Sequence, residues 1–247
     1  MDRLIYVSMT GAKQALLKQA VTSANLANVN TQGYKAQTND FRALWVYGDG
    51  MPTRTFAVAA TTGTDFRPGP VIQTGRPLDV AIPGQGWLAV QGADGKEAYT
   101  RSGSLQLDAA GTLTTGTGHP VMGDGGAIQL PAGSEISIGR DGTISVVPNG
   151  NLRNQVTVVG RLKLVNPDEK TLERGEDGLF RTQNGQAAEA DAGVQVASGG
   201  LEGSNVSVAD ALINLINQSR QFEMQVKMLQ NADQNARQTA QLLNLNG

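Results

Sequence analysis

Hydrophobic positions change their spacing twice along this chain. Between residues 2 and 29, Ile5, Met9, Ala12, Leu16, Ala20, Ala24 and Ala27 follow one another in steps of three and four, with Leu17 and Val21 on the shoulder. That spacing gathers them on one helix face. No proline interrupts the stretch, and residues 28–33 (NVNTQG) tolerate the left-handed backbone that ends helices. The C-terminal pattern is stronger. Val208, Leu212, Leu215, Ser219, Phe222, Val226, Leu229, Asp233, Ala236, Ala240 and Leu243 alternate steps of four and three, and no Pro or Gly lies between 206 and 245. A seven-residue repeat this long predicts one helix of roughly 57 Å with a coiled-coil seam. Ser219 and Asp233 read as the seam's wet edge. Ser204 or Asn205 is the expected N-cap, and Asp210 suits the positive helix end.

Between the helices the period falls to two. Candidate strands are Leu78–Ile82, Trp87–Gln91, Ala98–Arg101, Leu105–Leu107, Thr112–Thr114, Ile136–Ile138, Ile144–Val147, Val156–Val165 and Leu179–Thr182. They are punctuated by Asp94-Gly95, Gly111, Asp141-Gly142, Pro148-Asn149-Gly150, Asp177-Gly178 and Asn184-Gly185, which suit hairpins. The turns at Asp108–Gly111 and Arg140–Gly142 look alike. Residues 36–75, rich in Thr, Gly and Pro, read as an extended connector with a short strand at Arg54–Ala59. The expected fold is a mainly β central domain with long N- and C-terminal α-helices pairing as a coiled coil. Its parts are an N-terminal helix (1–35), the connector (36–75), a β-rich domain (76–200) and a C-terminal helix (201–247).

Composition narrows the function. The chain has 247 residues, enough to bury a sizeable core, and only 4% aromatics, so that core is aliphatic. Net charge is −2 with no basic tract, which removes the electrostatic footprint of a nucleic-acid binder. With no cysteine, disulfides, zinc thiolates and thiol catalysis are excluded. No run of ~18 apolar residues predicts a membrane span. The opening MDRLIYVSMTGAKQ lacks the apolar stretch of a cleavable signal, so work outside the cytoplasm implies another route out.

Candidate chemistry is sparse. His119, the single histidine, lies between Gly118 and Pro120 with Asp124 nearby, a turn rather than a relay. Glu173, Glu176 and Asp177 read as a solvated loop rather than a glycosidase pair. The Asp-Gly turns lack the alternating ligands of an EF-hand, and Gly84–Gly86 and Gly116–Gly118 open no helix that could hold a phosphate. No enzyme activity, cofactor or metal is expected.

Several motifs resemble one family. Residues 23–35 (SANLANVNTQGYK), with Asn25, Leu26, Asn28, Asn30, Thr31 and Gly33, are similar to the N-terminal signature of the flagellar axial proteins, the rod and hook subunits. Residues 74–87 (TGRPLDVAIPGQGW), with Leu78, Asp79 and Gly86, resemble the shared central motif, and Tyr99–Leu105, with Arg101 and Gly103, continue it. Leu201, Glu202, Ser204 and Asn205 resemble the approach to the C-terminal helix, and Arg220–Glu223 a motif within it. Trp87-Leu88 and Leu105 depart from the usual aromatics by apolar swaps. The opening Met1–Tyr6 and the length look most like the proximal rod members, with the distal rod members as nearest competitors.

The resemblance implies a structural subunit in the basal body that leaves the cell unfolded through the flagellar type III export apparatus. It implies terminal helices lining an inner tube, a β domain outside it, and torque passed to neighbouring rod proteins and copies of itself, without nucleic acid or membrane insertion. The assembly interface is then expected at Ile5, Met9, Leu16, Leu26, Val208, Leu212, Leu215, Phe222, Val226, Leu229 and Leu243. The rival readings are a β-rich extracellular binding module on a coiled-coil stalk and a cytoplasmic β enzyme with a helical dimerisation hairpin.

Overall fold

A computed structural model describes residues 2–45, 55–131, 135–147 and 156–244, with side chains described outside 2–4, 40–62, 236, 239–240 and 242–244. The chain forms two compact units, one from Met1–Val29, Ala36–Asp65 and Val206–Gly247, the other from Asn30–Lys35 and Phe66–Asn205.

The first unit holds helix α1 (Asp2–Ala27), strands β1 (Gln37–Trp45) and β2 (Thr55–Thr64), and helix α2 (Val208–Asn244). The helices pack together in opposite senses. Gln225 lies beside Gly11, and Gln218 Nε2 donates to Thr22 Oγ1 at 3.0 Å, so α2 descends as α1 rises. Small residues face inward: Ser8, Ala12 and Ala15 are buried on α1, Ala211 and Ala232 on α2. Between those two alanines the inward face of α2 runs through half-buried Leu215, Gln218, Phe222, Gln225 and Leu229. This is a seven-residue repeat that shares Leu215, Phe222 and Leu229 with the apolar pattern of the sequence but has Ala211, Gln218, Gln225 and Ala232 where that pattern has Leu212, Ser219, Val226 and Asp233. The cap also differs. Ser207, not Ser204 or Asn205, receives the Asp210 N–H on its Oγ at 3.3 Å. Ser207-Val208-Ala209-Asp210 thus brings a side-chain acceptor and a carboxylate to the positive end of α2.

The stretch expected to be a connector is a hairpin over much of its length. β1 and β2 pair antiparallel from Gln37↔Thr64 to Trp45↔Thr55, with a register shift between Asp40 and Phe41. The expected strand at Arg54–Ala59 is the start of β2, apart from Arg54, which lies outside the described residues. The Asn25 amide fixes the hairpin's start, donating to the Gln37 carbonyl and accepting the Gln37 N–H, both at 2.8 Å.

The second unit is almost all antiparallel sheet. Its strands are β3 (Val71–Gln73), β4 (Val80–Ala81), β5 (Trp87–Gln91), β6 (Glu97–Thr100), β7 (Leu105–Leu107), β8 (Leu113–Thr115), β9 (Met122–Gly123), β10 (Gly126–Ala127), β11 (Glu135–Ile138), β12 (Thr143–Val147), β13 (Thr157–Arg161), β14 (Leu164–Val165), β15 (Leu172–Arg174), β16 (Phe180–Thr182), β17 (Ala197–Ser198) and β18 (Gly200–Glu202). The largest sheet runs β14-β5-β6-β16-β15 and a second runs β11-β12-β13; β17 pairs with β4 and β18 with β3. The core is aliphatic, with Leu88, Val90, Leu105, Leu113, Val121, Ile144 and Leu162 nearly sealed from solvent. A separate cluster joins Trp87, Tyr99 and Phe180. Burial pushes the Tyr99 phenol up to about 12, and its oxygen accepts the Ala188 N–H at 2.6 Å.

The single strand expected over Val156–Val165 is two, because the chain changes partners. The Leu162 N–H donates to the Gly142 carbonyl and the Lys163 N–H to Met122, breaking the ladder between β13 and β14. Three turns share one geometry: residues 92–95, 139–142 and 175–178, each Gly-x-Asp-Gly. The last glycine has φ of 74, 84 and 79° respectively, and each aspartate accepts the N–H two residues on. Asp108–Gly111 places its aspartate first instead and closes with Gly111 at φ 79°. Arg181 binds Asp177 at 2.7 Å and Asp94 at 3.5 Å, tying two turn tips together. Its hydrogen bond holds the Asp177 carboxyl below the usual carboxylate range.

Candidate functional site

Two places concentrate the residues singled out in the sequence. The first is the pair of helices, where Leu215, Phe222 and Leu229 face inward. Ile5, Leu26, Leu215, Phe222, Val226 and Leu229 are half-buried, whereas Met9, Leu16, Val208 and Leu212 stand exposed. The side chain of Leu243 lies outside the described residues, as do those of Ala236 and Ala240. The exposed residues have company that the seam pattern missed: Tyr6 and Leu17 on α1, and Ile213, Ile216, Met224 and Met228 on α2. Ile216 is 54% exposed and Met224 58%. At 100° per residue, Ile216 and Met224 lie on the side of α2 away from its inward face, with Leu212 and Met228 on the two flanks. A helix apolar on two sides belongs in a packed interior. One side is covered within the chain, and the other stands free among the described residues.

The second place is a buried charged junction within the β-rich unit. Lys35, Glu202 and Arg101 have side chains 0%, 1% and 4% exposed. Lys35 Nζ donates to Glu202 Oε1 at 2.7 Å and to the Arg67 carbonyl at 2.9 Å. Arg101 Nη1 donates to Glu202 Oε2 at 2.9 Å and to the Ile82 carbonyl at 3.0 Å; its Nη2 donates to Gly84 at 2.7 Å. The Gly69 N–H adds a bond to Glu202 Oε1 at 3.0 Å. Two cations thus share one carboxylate, and three carbonyl oxygens accept further bonds from Lys35 Nζ and the two Arg101 Nη groups, while the buried Arg101 Nε has no hydrogen-bond partner. The Arg101 guanidinium also lies 5.3 Å from the Trp87 ring centroid. Burying charge is tolerable only when paired and hydrogen-bonded in this way.

The backbone closes around these charges. The Gly33 N–H donates to the Glu202 carbonyl at 2.8 Å, and a side chain at Gly33 would collide with the backbone of Arg101 and Ser102. A Cβ on Gly69 would strike the Gly203 carbonyl, and one on Gly103 the Val80 carbonyl. Beside them Asp79 accepts from Thr74 Oγ1 at 2.7 Å and Arg76 Nε at 2.9 Å, while Arg76 Nη2 reaches the Leu105 carbonyl at 2.7 Å. Leu78 packs on the core. Gly86, at φ 128°, lets Val194 approach. Leu201 and Ser204 are buried, and Asn205 Nδ2 donates to the Arg67 carbonyl at 3.0 Å. Of the remaining signature residues, Asn28 Nδ2 donates to Ala24 at 2.8 Å beyond α1, the Thr31 carbonyl accepts the Tyr34 N–H, and Asn30 is exposed. The pairing of Lys35 with Glu202 was not visible in the sequence, because 167 residues separate the partners.

His119 sits in a turn, its N–H donating to Thr115 Oγ1 at 3.1 Å. Among the described residues no three His, Asp or Glu side chains gather so as to hold a metal ion. No described helix is long and apolar enough to cross a membrane.

Comparison with known proteins assigns these features. Residues 5–35 match the family model described as flagella basal body rod protein, 81–146 the flagellar hook protein FlgE/F/G D1 domain, and 197–242 the flagellar basal body rod FlgEFG protein C-terminal region. The flagellar basal-body rod protein FlgF of Escherichia coli K12 is 49% identical over 99% of this chain and 100% of its own length. The chain belongs to the flagellar basal-body rod protein family. The Salmonella typhimurium FlgF is 47% identical over the same shares, and FlgG of Buchnera aphidicola from Acyrthosiphon pisum 35% over 96% and 98%. The rod protein family gives this chain its setting as a structural subunit of the flagellar basal body. Within that family both places just described fall in matched regions: the helices and Lys35 in the terminal ones, Arg101 in the central one, Glu202 in the last.

Proposed function

We propose that this chain builds the proximal part of the rod by polymerising through the outward sides of α1 and α2, and passes torque through those contacts without catalysis. The observation that carries this is the second apolar side of the helix pair, with Met9 and Leu16 on α1 and Leu212, Ile216 and Met224 on α2. Exposed apolar surface costs about 25 cal/mol per Å² in water, so such a stripe favours whatever covers it. On α1 the stripe flanks the buried Ser8, Ala12 and Ala15, and on α2 it runs from the flank at Leu212 to the outward Ile216 and Met224. A neighbour's α1 stripe on this chain's α2 stripe is then a head-to-tail contact, which yields a helical assembly when the operator does not close. Small inward residues, Ser8, Gly11, Ala12 and Ala15, let the pair approach closely as a coiled coil. The 49% and 47% identity to FlgF of Escherichia coli and Salmonella typhimurium, against 35% to FlgG of Buchnera aphidicola, supports the proximal over the distal rod. The partners are neighbouring rod proteins, further copies of this chain and the flagellar type III export apparatus.

Complementation tests this. The full chain is supplied to cells whose own proximal rod gene is deleted, with and without a working flagellar export apparatus. Rods and swimming are expected to return only with that apparatus. Swimming without the chain in isolated basal bodies would contradict it.

A further inference from the structure

We propose that the Lys35–Glu202–Arg101 cluster is a clamp that makes every segment by which the chain leaves the β-rich unit hold or release as one. The inference needs nothing from the assembly reading. It rests on where the cluster sits in the chain. The β-rich unit is Asn30–Lys35 plus Phe66–Asn205, so its chain ends are residues 30, 35, 66 and 205. All three neighbourhoods meet in this cluster. Lys35 is itself one end. Its ammonium binds the Arg67 carbonyl at 2.9 Å, and so does Asn205 Nδ2 at 3.0 Å. Glu202 holds the Gly69 N–H with its carboxylate and the Gly33 N–H with its carbonyl. The Asn205 N–H reaches the Tyr34 carbonyl at 3.3 Å, and the Gly203 N–H reaches Pro70 at 2.8 Å.

Charge makes these contacts interdependent. Glu202 is the one carboxylate bound to both Lys35 and Arg101. Withdrawing the segment at 202 takes from two buried cations the carboxylate they share, and withdrawing Lys35 leaves Glu202 with one cation in place of two. Either loss is far larger than that of an ordinary hydrogen bond. A fraying end elsewhere would open alone; here no end can open while the others stay shut. Glycine at 33 and 69 brings the backbones close enough for the same bonds to span the three neighbourhoods.

Hydrogen exchange on the full-length protein tests the coupling. Lys35→Met is expected to accelerate exchange at Gly203 and Asn205, and Glu202→Gln at Gly33, each by about 100-fold or more. Lys35→Met/Arg101→Met/Glu202→Met keeps volume while removing all three charges, and is expected to return Gly33, Gly203 and Asn205 to within about tenfold of the parent. If a single variant unfolds the whole unit, restored protection in the triple variant still shows that unpaired charge was the cause. Faster exchange confined to the mutated segment overturns the proposal, and so does a triple variant as unprotected as the single ones.

Discussion

Leu212→Asp combined with Ile216→Asp leaves the fold of the chain intact and stops it from entering rods. Both side chains are exposed on α2, Ile216 away from the face that packs on α1 and Leu212 on its flank, so both carboxylates keep contact with water in the free chain. Surface changes of this kind alter stability by about 0.5 kcal/mol or less. In the proposed assembly the same two positions are covered. There each substitution removes about 1.5–3 kcal/mol of apolar burial and leaves a carboxylate several kcal/mol short of its hydration. Together they lower affinity by a factor on the order of a thousand or more. Helix content and the denaturation midpoint of the purified variant are expected to match the parent, while basal bodies from complemented cells lack the variant. Phe222→Asp is the contrast. Phe222 lies on the inward face of α2, so that change destabilises the free chain first. Normal incorporation of the double variant would remove the outward side of α2 from the interface.

Gly103→Ala is expected to destabilise the β-rich unit by about 3–5 kcal/mol, the range reached when a packed site is forced apart. The added methyl would sit inside the van der Waals contact of the Val80 carbonyl oxygen. That oxygen belongs to backbone and cannot swing away, and the Val80 N–H is bonded to the Gly103 carbonyl at 2.9 Å. The two segments must separate where they also frame Arg101. Gly11→Ala is the internal control. There the obstacle is the end of the flexible Gln225 side chain, at 2.9 Å, and alanine gains about 1 kcal/mol of helix propensity. Urea denaturation followed by tryptophan fluorescence separates the cases: a markedly lower midpoint for Gly103→Ala and an unchanged or higher one for Gly11→Ala. Equal midpoints would mean that the backbone at 80 and 103 is less tightly packed than described.

The sequence patterns located the elements better than their surroundings. β5 and β7 fall on the residues where period-two patterning put them, α1 on the steps of three and four, and α2 on the seven-residue repeat. Periodicity showed that α2 has an apolar side but not which partner covers it. The bulky Leu212 and Ile216 look like core, yet two helices in close contact need small residues, and Ala211, Ala232 and Ala15 took the inward positions. The pairing of β1 with β2 was read as a connector with one short strand at 54–59, because the threonines and glycines of residues 36–75 resemble a loop. The charged junction was the least legible part. Lys35, Arg101 and Glu202 each look like solvated side chains, and resemblance alone marked Arg101 and Glu202. Their burial follows from three chain segments meeting, which no window of sequence contains.

Methionine oxidation measures the central claim directly. Met9, Met224 and Met228 stand exposed on the outward sides of the helices, where a mild oxidant converts each thioether to a sulfoxide in the free chain. Comparing the three by mass spectrometry in the purified chain and in isolated rods reports whether neighbours cover them. The account predicts rapid oxidation of all three in the free chain and at least about tenfold protection in the rod. Equal reactivity in both would contradict it.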